Sequence, residues 1–231
     1  MIISEKANMT YTAVPKNACT SMKCFFYHVN TGYDFAEVTP KKKMGYQGIH
    51  HVDGYRMGRF KIATYADYGD FDHAAIIRDP VDRFRSAYKN RLFQYNDIRS
   101  RPDAAARAME ADLSDQPSLG TVIDNMEEYF RISNVLKFHL RPASFYLGQD
   151  LNFYSHLYEI KETDTLYQEI MERTGMQIPK IRANESHTEL APDYRLTPSQ
   201  YDKLLAYTAS DYELMKDHFY PRSYREIDWA Q

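Results

Sequence analysis

Glycine and cysteine are scarce in this chain, and where they are missing says more than how many there are. Only nine glycines and two cysteines occur in 231 residues. The cysteines, Cys19 and Cys24, sit on a spacing unsuited to a mutual bridge, which implies free thiols and a reducing compartment. No apolar run approaches the ~20 residues of a membrane-spanning helix. The N-terminal stretch from Met1 to Val14 lacks the basic region and long apolar core of a signal peptide, so a cytoplasmic location is expected. Basic residues are not in excess either: 29 Lys and Arg stand against 32 Asp and Glu, a formal charge of −3. That balance argues against a generic nucleic-acid binder and leaves room for a local basic pocket. With 43% hydrophobic residues, the chain can bury a core. No repeat, low-complexity segment or linker divides it, so one domain over residues 1–231 is expected.

What is present begins with Val14-Pro15-Lys16-Asn17-Ala18-Cys19-Thr20-Ser21-Met22-Lys23. An apolar, β-prone run over residues 9–14 leads into it. A helix over residues 21–30 follows, ending near Gly32. Strand, polar loop and helix N-terminus form an anion-binding arrangement: backbone N–H groups and the helix dipole point at one spot, and a lysine adds a full charge. A phosphate loop of the NTPase kind needs Gly-x-x-x-x-Gly-Lys followed by Ser or Thr. Residues 14–23 contain no glycine, and Lys16 precedes the hydroxyls of Thr20 and Ser21 instead of adjoining them. A P-loop nucleotide kinase or NTPase is therefore the rival reading, as is a non-catalytic nucleotide-binding protein.

The second informative stretch is Asp72 to Tyr88. Residues 72–77 read as a buried strand running into Arg78-Asp79-Pro80, where Asp79 can cap a helix whose first turn tolerates Pro80. Ser86 falls eight residues after Arg78. A strand-terminal arginine and a helix-borne serine suit one phosphate, because the guanidinium fork holds phosphate oxygens in pairs. Between the two stretches lie the basic run Lys41-Lys42-Lys43, which also fits a solvated face, and the histidine pair His50-His51 between Gly48 and Gly54. The pair reads as a loop or strand end. It lacks the His-x-x-x-His spacing and a nearby cysteine, so no metal site is expected. Further on, residues 96–120 read as an insertion at a cleft rim with a helix over 103–113. Residues 121–133 read as an amphipathic helix, 153–160 as a strand, and 164–174 as a helix stopped by Gly175. Residues 179–195 read as a polar loop, and a last helix opens at Thr197-Pro198 and runs to about Phe219. This order predicts an α/β domain with a mainly parallel central sheet flanked by helices, and a ligand at the carboxyl ends of its strands.

Residues 14–23 resemble the 5′-phosphosulfate loop of sulfotransferases that use 3′-phosphoadenosine 5′-phosphosulfate (PAPS). Residues 77–88 resemble their 3′-phosphate motif, including the Arg78-to-Ser86 spacing. The two motifs stand in order, about sixty residues apart, and weaker likeness extends over most of residues 10–220. The nearest likeness is to the carbohydrate (Golgi-type) group and its bacterial relatives, although Ala143 stands where members often carry glutamine. The resemblance implies a P-loop-NTPase-like fold and transfer of a sulfuryl group from PAPS to an acceptor hydroxyl, most plainly of a carbohydrate, with no metal required. It assigns Lys16 to the leaving group. The backbone of Asn17, Ala18, Cys19, Thr20, Ser21 and Met22, with the Thr20 and Ser21 hydroxyls, is assigned to the 5′-phosphate. Arg78 and Ser86 are assigned to the 3′-phosphate, and Asn184 and Ser186 to a loop closing over the nucleotide. Members near the uronyl 2-O-sulfotransferases have a histidine just before a valine in the intervening stretch, matched best by His51-Val52. His50 is the close alternative as base, and Glu37 a fallback. Arg56, Arg59, Arg99 and Arg101, with the lysine run, are candidates for a basic rim toward an anionic glycan.

Overall fold

Met9-Thr10-Tyr11-Thr12 is buried at every position, as a strand covered on both faces must be. It is the second strand in a computed structural model that describes residues 1–38, 40–181, 183 and 194–229, with residues 40–45 described by backbone alone. In chain order the elements are Ile2–Ser4 (β1), Met9–Thr12 (β2), Cys19–Thr31 (α1), Phe35–Val38 (α2), Asp72–Ile77 (β3), Pro80–Tyr88 (α3), Pro102–Glu110 (α4), Leu119–Asp124 (α5), Met126–Ile132 (α6), Asn134–Leu140 (α7), Ser144–Leu147 (α8), His156–Glu159 (β4), Thr163–Thr174 (α9) and Pro198–Leu214 (α10). Short 3-10 helices include Pro40–His51 and Ile62–Tyr68. The chain gathers into two compact units, one of Met1–Arg78 with Ala143–Glu185, the other of Asp79–Pro142 with Ser186–Gln231.

The first unit holds a four-stranded sheet in the order β1-β2-β3-β4. β2, β3 and β4 are parallel, with Thr12 opposite Ala75 and Ile77 opposite Glu159. β1 pairs antiparallel with β2. It was not expected from sequence, because three residues are too few to show an alternating pattern. Its hairpin turns at Asn8, which takes φ +48°, a conformation asparagine tolerates better than most. Helices α1 and α9 flank the sheet. Phe25 and Phe26 of α1 are fully buried, Phe26 stacking on Tyr11 at 5.3 Å and Phe25 meeting Tyr167 of α9 edge-on at 4.3 Å. Gly32 ends α1 at φ +83°, its N–H donating to the His28 carbonyl, the left-handed cap that a residue without Cβ accepts freely.

The second unit is helical. Ile98, Ala104, Ala108 and Leu119, from the stretch read as a rim insertion, are buried in its core beside Tyr129 and Leu204. The helix expected over 121–133 is two helices, α5 and α6, because Asn125 (φ −124°, ψ 32°) leaves helical geometry. The last helix stops at Leu214, short of Phe219, where Met215 takes ψ 23° and its carbonyl accepts from the His218 and Phe219 amides. Its start matches expectation: Thr197 and Gln200 form a reciprocal capping box with Pro198 in the first turn, satisfying N–H groups the helix cannot pair.

Much of the stretch that follows Arg78 is structural glue within this unit. Asp79 caps α3 by accepting from the Asp82 amide at 3.0 Å, and it also accepts from the Tyr212 hydroxyl and from Arg222. Arg83 is 1% exposed and donates to the carbonyls of His139 and Arg141. Its guanidinium faces the fully buried Asp211 at 3.6 Å. Removing one partner of such a pair strands a charge in the core, at a cost of roughly 3–5 kcal/mol. Asp211→Ala is therefore expected to lower the unfolding free energy by about that amount, read as a fall in the denaturant midpoint. Loss below about 1 kcal/mol, the range of an exposed pair, would show that the pair is not sealed from water.

Candidate active site

The parallel pairing of β2 and β3 sends the loops that follow them away from the same edge of the sheet. Two hydrogen bonds then tie those loops together. The Asn17 side chain, fully buried, donates from Nδ2 to the Ile76 carbonyl at 2.8 Å, and Arg78 donates from Nη1 to the Lys16 carbonyl at 3.2 Å. The Asn17 amide closes a tight turn onto the Val14 carbonyl at 3.2 Å. Lys16 and Ala18 both lie in the left-handed region, at φ +71° and +54°. For a residue bearing Cβ this conformation costs roughly 1–2 kcal/mol. Left-handed residues in such a turn bend the backbone into an anion-binding nest.

Helix α1 starts straight out of this nest. Ala18 is its N-cap, no side chain among the described residues caps it, and no acidic residue lies in its first turn. Its first intrahelical bond is Met22 N–H to the Ala18 carbonyl at 3.0 Å. The amides of Cys19, Thr20 and Ser21 thus precede the first helical donor, Met22 N–H, and the dipole's positive end favours an anion there. The amides of Asn17 and Met22, also expected to face the phosphate, are engaged with the protein's own carbonyls.

The side chains of this first turn are already organised. Thr20 Oγ1 lies 3.0 Å from His50 Nε2, and Lys23 Nζ lies 3.0 Å from His50 Nδ1. Lys23 is 1% exposed. Burial, which penalises the charged amine, pulls its pKa from 10.5 down to about 8, against a smaller opposing effect of the Cys19 and Cys24 thiols. Burial likewise pushes the Cys24 thiol up to about 12, so it stays protonated and poorly nucleophilic at neutral pH. Ser21 accepts from the Ala183 amide at 2.9 Å and donates back to the Ala183 carbonyl. Its hydroxyl therefore holds the segment after α9.

His50 and His51 end a 3-10 helix, Pro40–His51, and not a strand. Each residue there advances about 120°, so the two rings diverge: His50 turns toward α1, while His51 is exposed. Glu37 on α2 is also exposed. Arg78, expected to share the 3′-phosphate with Ser86, bonds to the carbonyl of Lys16, expected at the leaving group. Ser86 lies half-buried on α3 in the second unit. Asn184 and Ser186 lie outside the described residues, as do the side chains of Lys41, Lys42 and Lys43. Arg99 and Arg101 are exposed in the second unit. Sequence reasoning missed Lys23. Its signal was a lone cation within an otherwise apolar run from Met22 to Phe26, three residues from Thr20 and hence on the same helix face.

At the end of β2 opens a cavity of about 430 Å³ whose lining includes Thr12, Arg56, Arg59, Phe60, Lys61 and Tyr65. None of its lining residues is acidic. Tyr65 is held from below by a hydrogen bond with Thr12 Oγ1 at 2.5 Å. Among the described residues there is no group of three or more His, Cys, Asp or Glu that could hold a metal ion, and no helix long and apolar enough to cross a membrane.

No curated protein and no solved structure matches the chain. A family model does, over residues 1–217. That match contains the left-handed loop at the head of α1, the arginine that follows β3 and the histidine between them. It describes transferases of the sulfuryl group, and the chain belongs to the sulfotransferase family.

Proposed function

We propose that this protein transfers the sulfuryl group of PAPS to a hydroxyl of a carbohydrate acceptor, on a P-loop-like fold. The observation that carries the reading is the junction of Arg78 with the Lys16 carbonyl, which brings the guanidinium to the loop at the head of α1. In this reading the nest and the first amides of α1 hold the 5′-phosphosulfate end of PAPS, Lys16 neutralises the leaving phosphate and Arg78 takes the 3′-phosphate. The cluster suits so highly anionic a ligand by its chemistry: cations and amide donors, with no carboxylate in the first turn. Sulfuryl transfer, like phosphoryl transfer, spreads charge over the transferred and leaving oxygens, so fixed donors supply most of the rate gain. The acceptor hydroxyl must also lose a proton. His50 is our assignment for that base, on its contact with Thr20, with His51 second.

For the acceptor, the cavity at the end of β2 is lined by the aromatic residues Phe60 and Tyr65 and the cations Arg56, Arg59 and Lys61. Aromatic faces suit sugar rings, and the cations suit an acidic sugar. Saturating adenosine 3′,5′-bisphosphate is expected to raise the melting temperature by mass action, and Lys16→Ala to cut kcat by about 100-fold or more while the fold survives. No thermal shift with the bisphosphate would rule out the PAPS reading. His50→Ala is expected to lose at least about tenfold more turnover than His51→Ala, a proton-transfer effect of the usual size; equal activities would hand the role to a carboxylate such as Glu37. Arg59→Ala is expected to raise KM for an acidic sugar acceptor about tenfold, as loss of one charge-assisted contact does, with kcat and the KM of a neutral sugar little changed.

A further inference from the structure

The contact between Lys23 and His50 contains more information than its length. At 3.0 Å between Nζ and Nδ1, the two nitrogens share one hydrogen and one lone pair. A charged ammonium has three N–H donors and no lone pair, while a neutral imidazole has one of each. If Lys23 is charged, Nδ1 must be the acceptor and the imidazole proton sits on Nε2, donated toward Thr20 Oγ1 at 3.0 Å. If Lys23 is neutral, its amine gains a lone pair that can accept from Nδ1–H, and Nε2 then carries the imidazole lone pair. Only the second arrangement leaves Nε2 able to take a proton.

We propose that Lys23 is a positioning residue that selects which nitrogen of His50 carries the proton, arming Nε2 as a base only when the lysine is neutral. The functional consequence rests on the assignment of His50 above; the proton arrangement itself does not. In the conversion one proton passes from Nζ to Nδ1 and one leaves Nε2 for solvent, so the pair goes from a single positive charge to neutral. Lys23 is placed for this. It is sealed at 1% exposure, and burial brings its titration down to about 8, within physiological reach. The titratable groups that face it are the thiols of Cys19 and Cys24 on its own helix, His50 from the 3-10 helix and the Met1 amino group ahead of β1. No carboxylate is among these groups, and the two thiols exert only the smaller, opposing pull on the Nζ proton.

The test is an imidazole nitrogen-15 NMR titration of the full chain labelled at histidine, with His50 assigned from the spectrum of His50→Gln. In the wild type, His50 is expected to pass from the Nε2–H to the Nδ1–H form with a midpoint near that of Lys23. Arginine stays charged across the range, so Lys23→Arg is expected to keep His50 in the Nε2–H form to about pH 10 and to lower kcat at least about tenfold, the scale of a lost base. The titration of Lys23 itself is read from stability. Its pKa is lower folded than unfolded, so the unfolded chain binds more protons between about 8 and 10.5, and the wild type gains stability over Lys23→Met as pH rises through that window. A His50 tautomer that stays constant in the wild type, or a transition that persists in Lys23→Arg, would overturn the proposal. The wild-type titration decides even if a variant does not fold. Absence of a thermal shift with adenosine 3′,5′-bisphosphate would instead remove the PAPS reading and leave the tautomer result standing.

Discussion

The parallel register of β2 on β3 is the constraint on which the candidate site depends. Because β2 and β3 run parallel, with Thr12 opposite Ala75, the chain leaves both strands at the same end of the sheet, and residues far apart in sequence become neighbours there. Asn17 and Arg78 convert that coincidence into a fixed relation by bonding to the Ile76 and Lys16 carbonyls. A slip of one residue would exchange the faces of every side chain on the strand, taking Tyr11 off Phe26 and Thr12 off Tyr65. The burial of β2 at every position makes such a slip costly, so the apolar core and the placement of the loop are enforced together.

Conserving a fold and holding a ligand are different tasks, and the stretch after β3 divides them residue by residue. Arg78 reaches the loop of α1. Asp79, Asp82, Arg83 and Arg85 do something else: they cap α3, pair with Arg222 or Asp211 and reach carbonyls at Arg141 and Asp228. Arg85 also lies over the Tyr194 ring at 4.5 Å, where a planar cation is attracted to the aromatic face. A string of charged residues that invites a binding interpretation is in this case mostly an internal electrostatic frame.

The parts legible in the sequence were those with strong local causes. The strand before Lys16, the helix ended by Gly32, the strand before Arg78 and the cap at Thr197 each carry their own signal in apolar pattern, glycine or capping chemistry. What stayed hidden was set by tertiary context. β1 is too short to show a period. His50 and His51 look equivalent in sequence, and only a 3-10 turn against α1 separates them. Lys23 closes the loop motif in sequence without a role of its own, and only the packing of the helix encloses its amine and makes a ring nitrogen its partner. Asn125 breaks a helix whose apolar pattern runs on through it.

The left-handed residues of the loop, Lys16 and Ala18, bear on how affinity arises. A glycine-rich phosphate loop is floppy when empty and must lose backbone freedom as its ligand settles, at roughly 1–2 kcal/mol for each residue ordered. In this loop every residue carries a side chain or, at Pro15, a ring, and Asn17 is clamped from beneath. The disorder is removed when the chain folds, so for the phosphosulfate proposed above the donors are in place before it arrives, and more of its contact energy appears as binding.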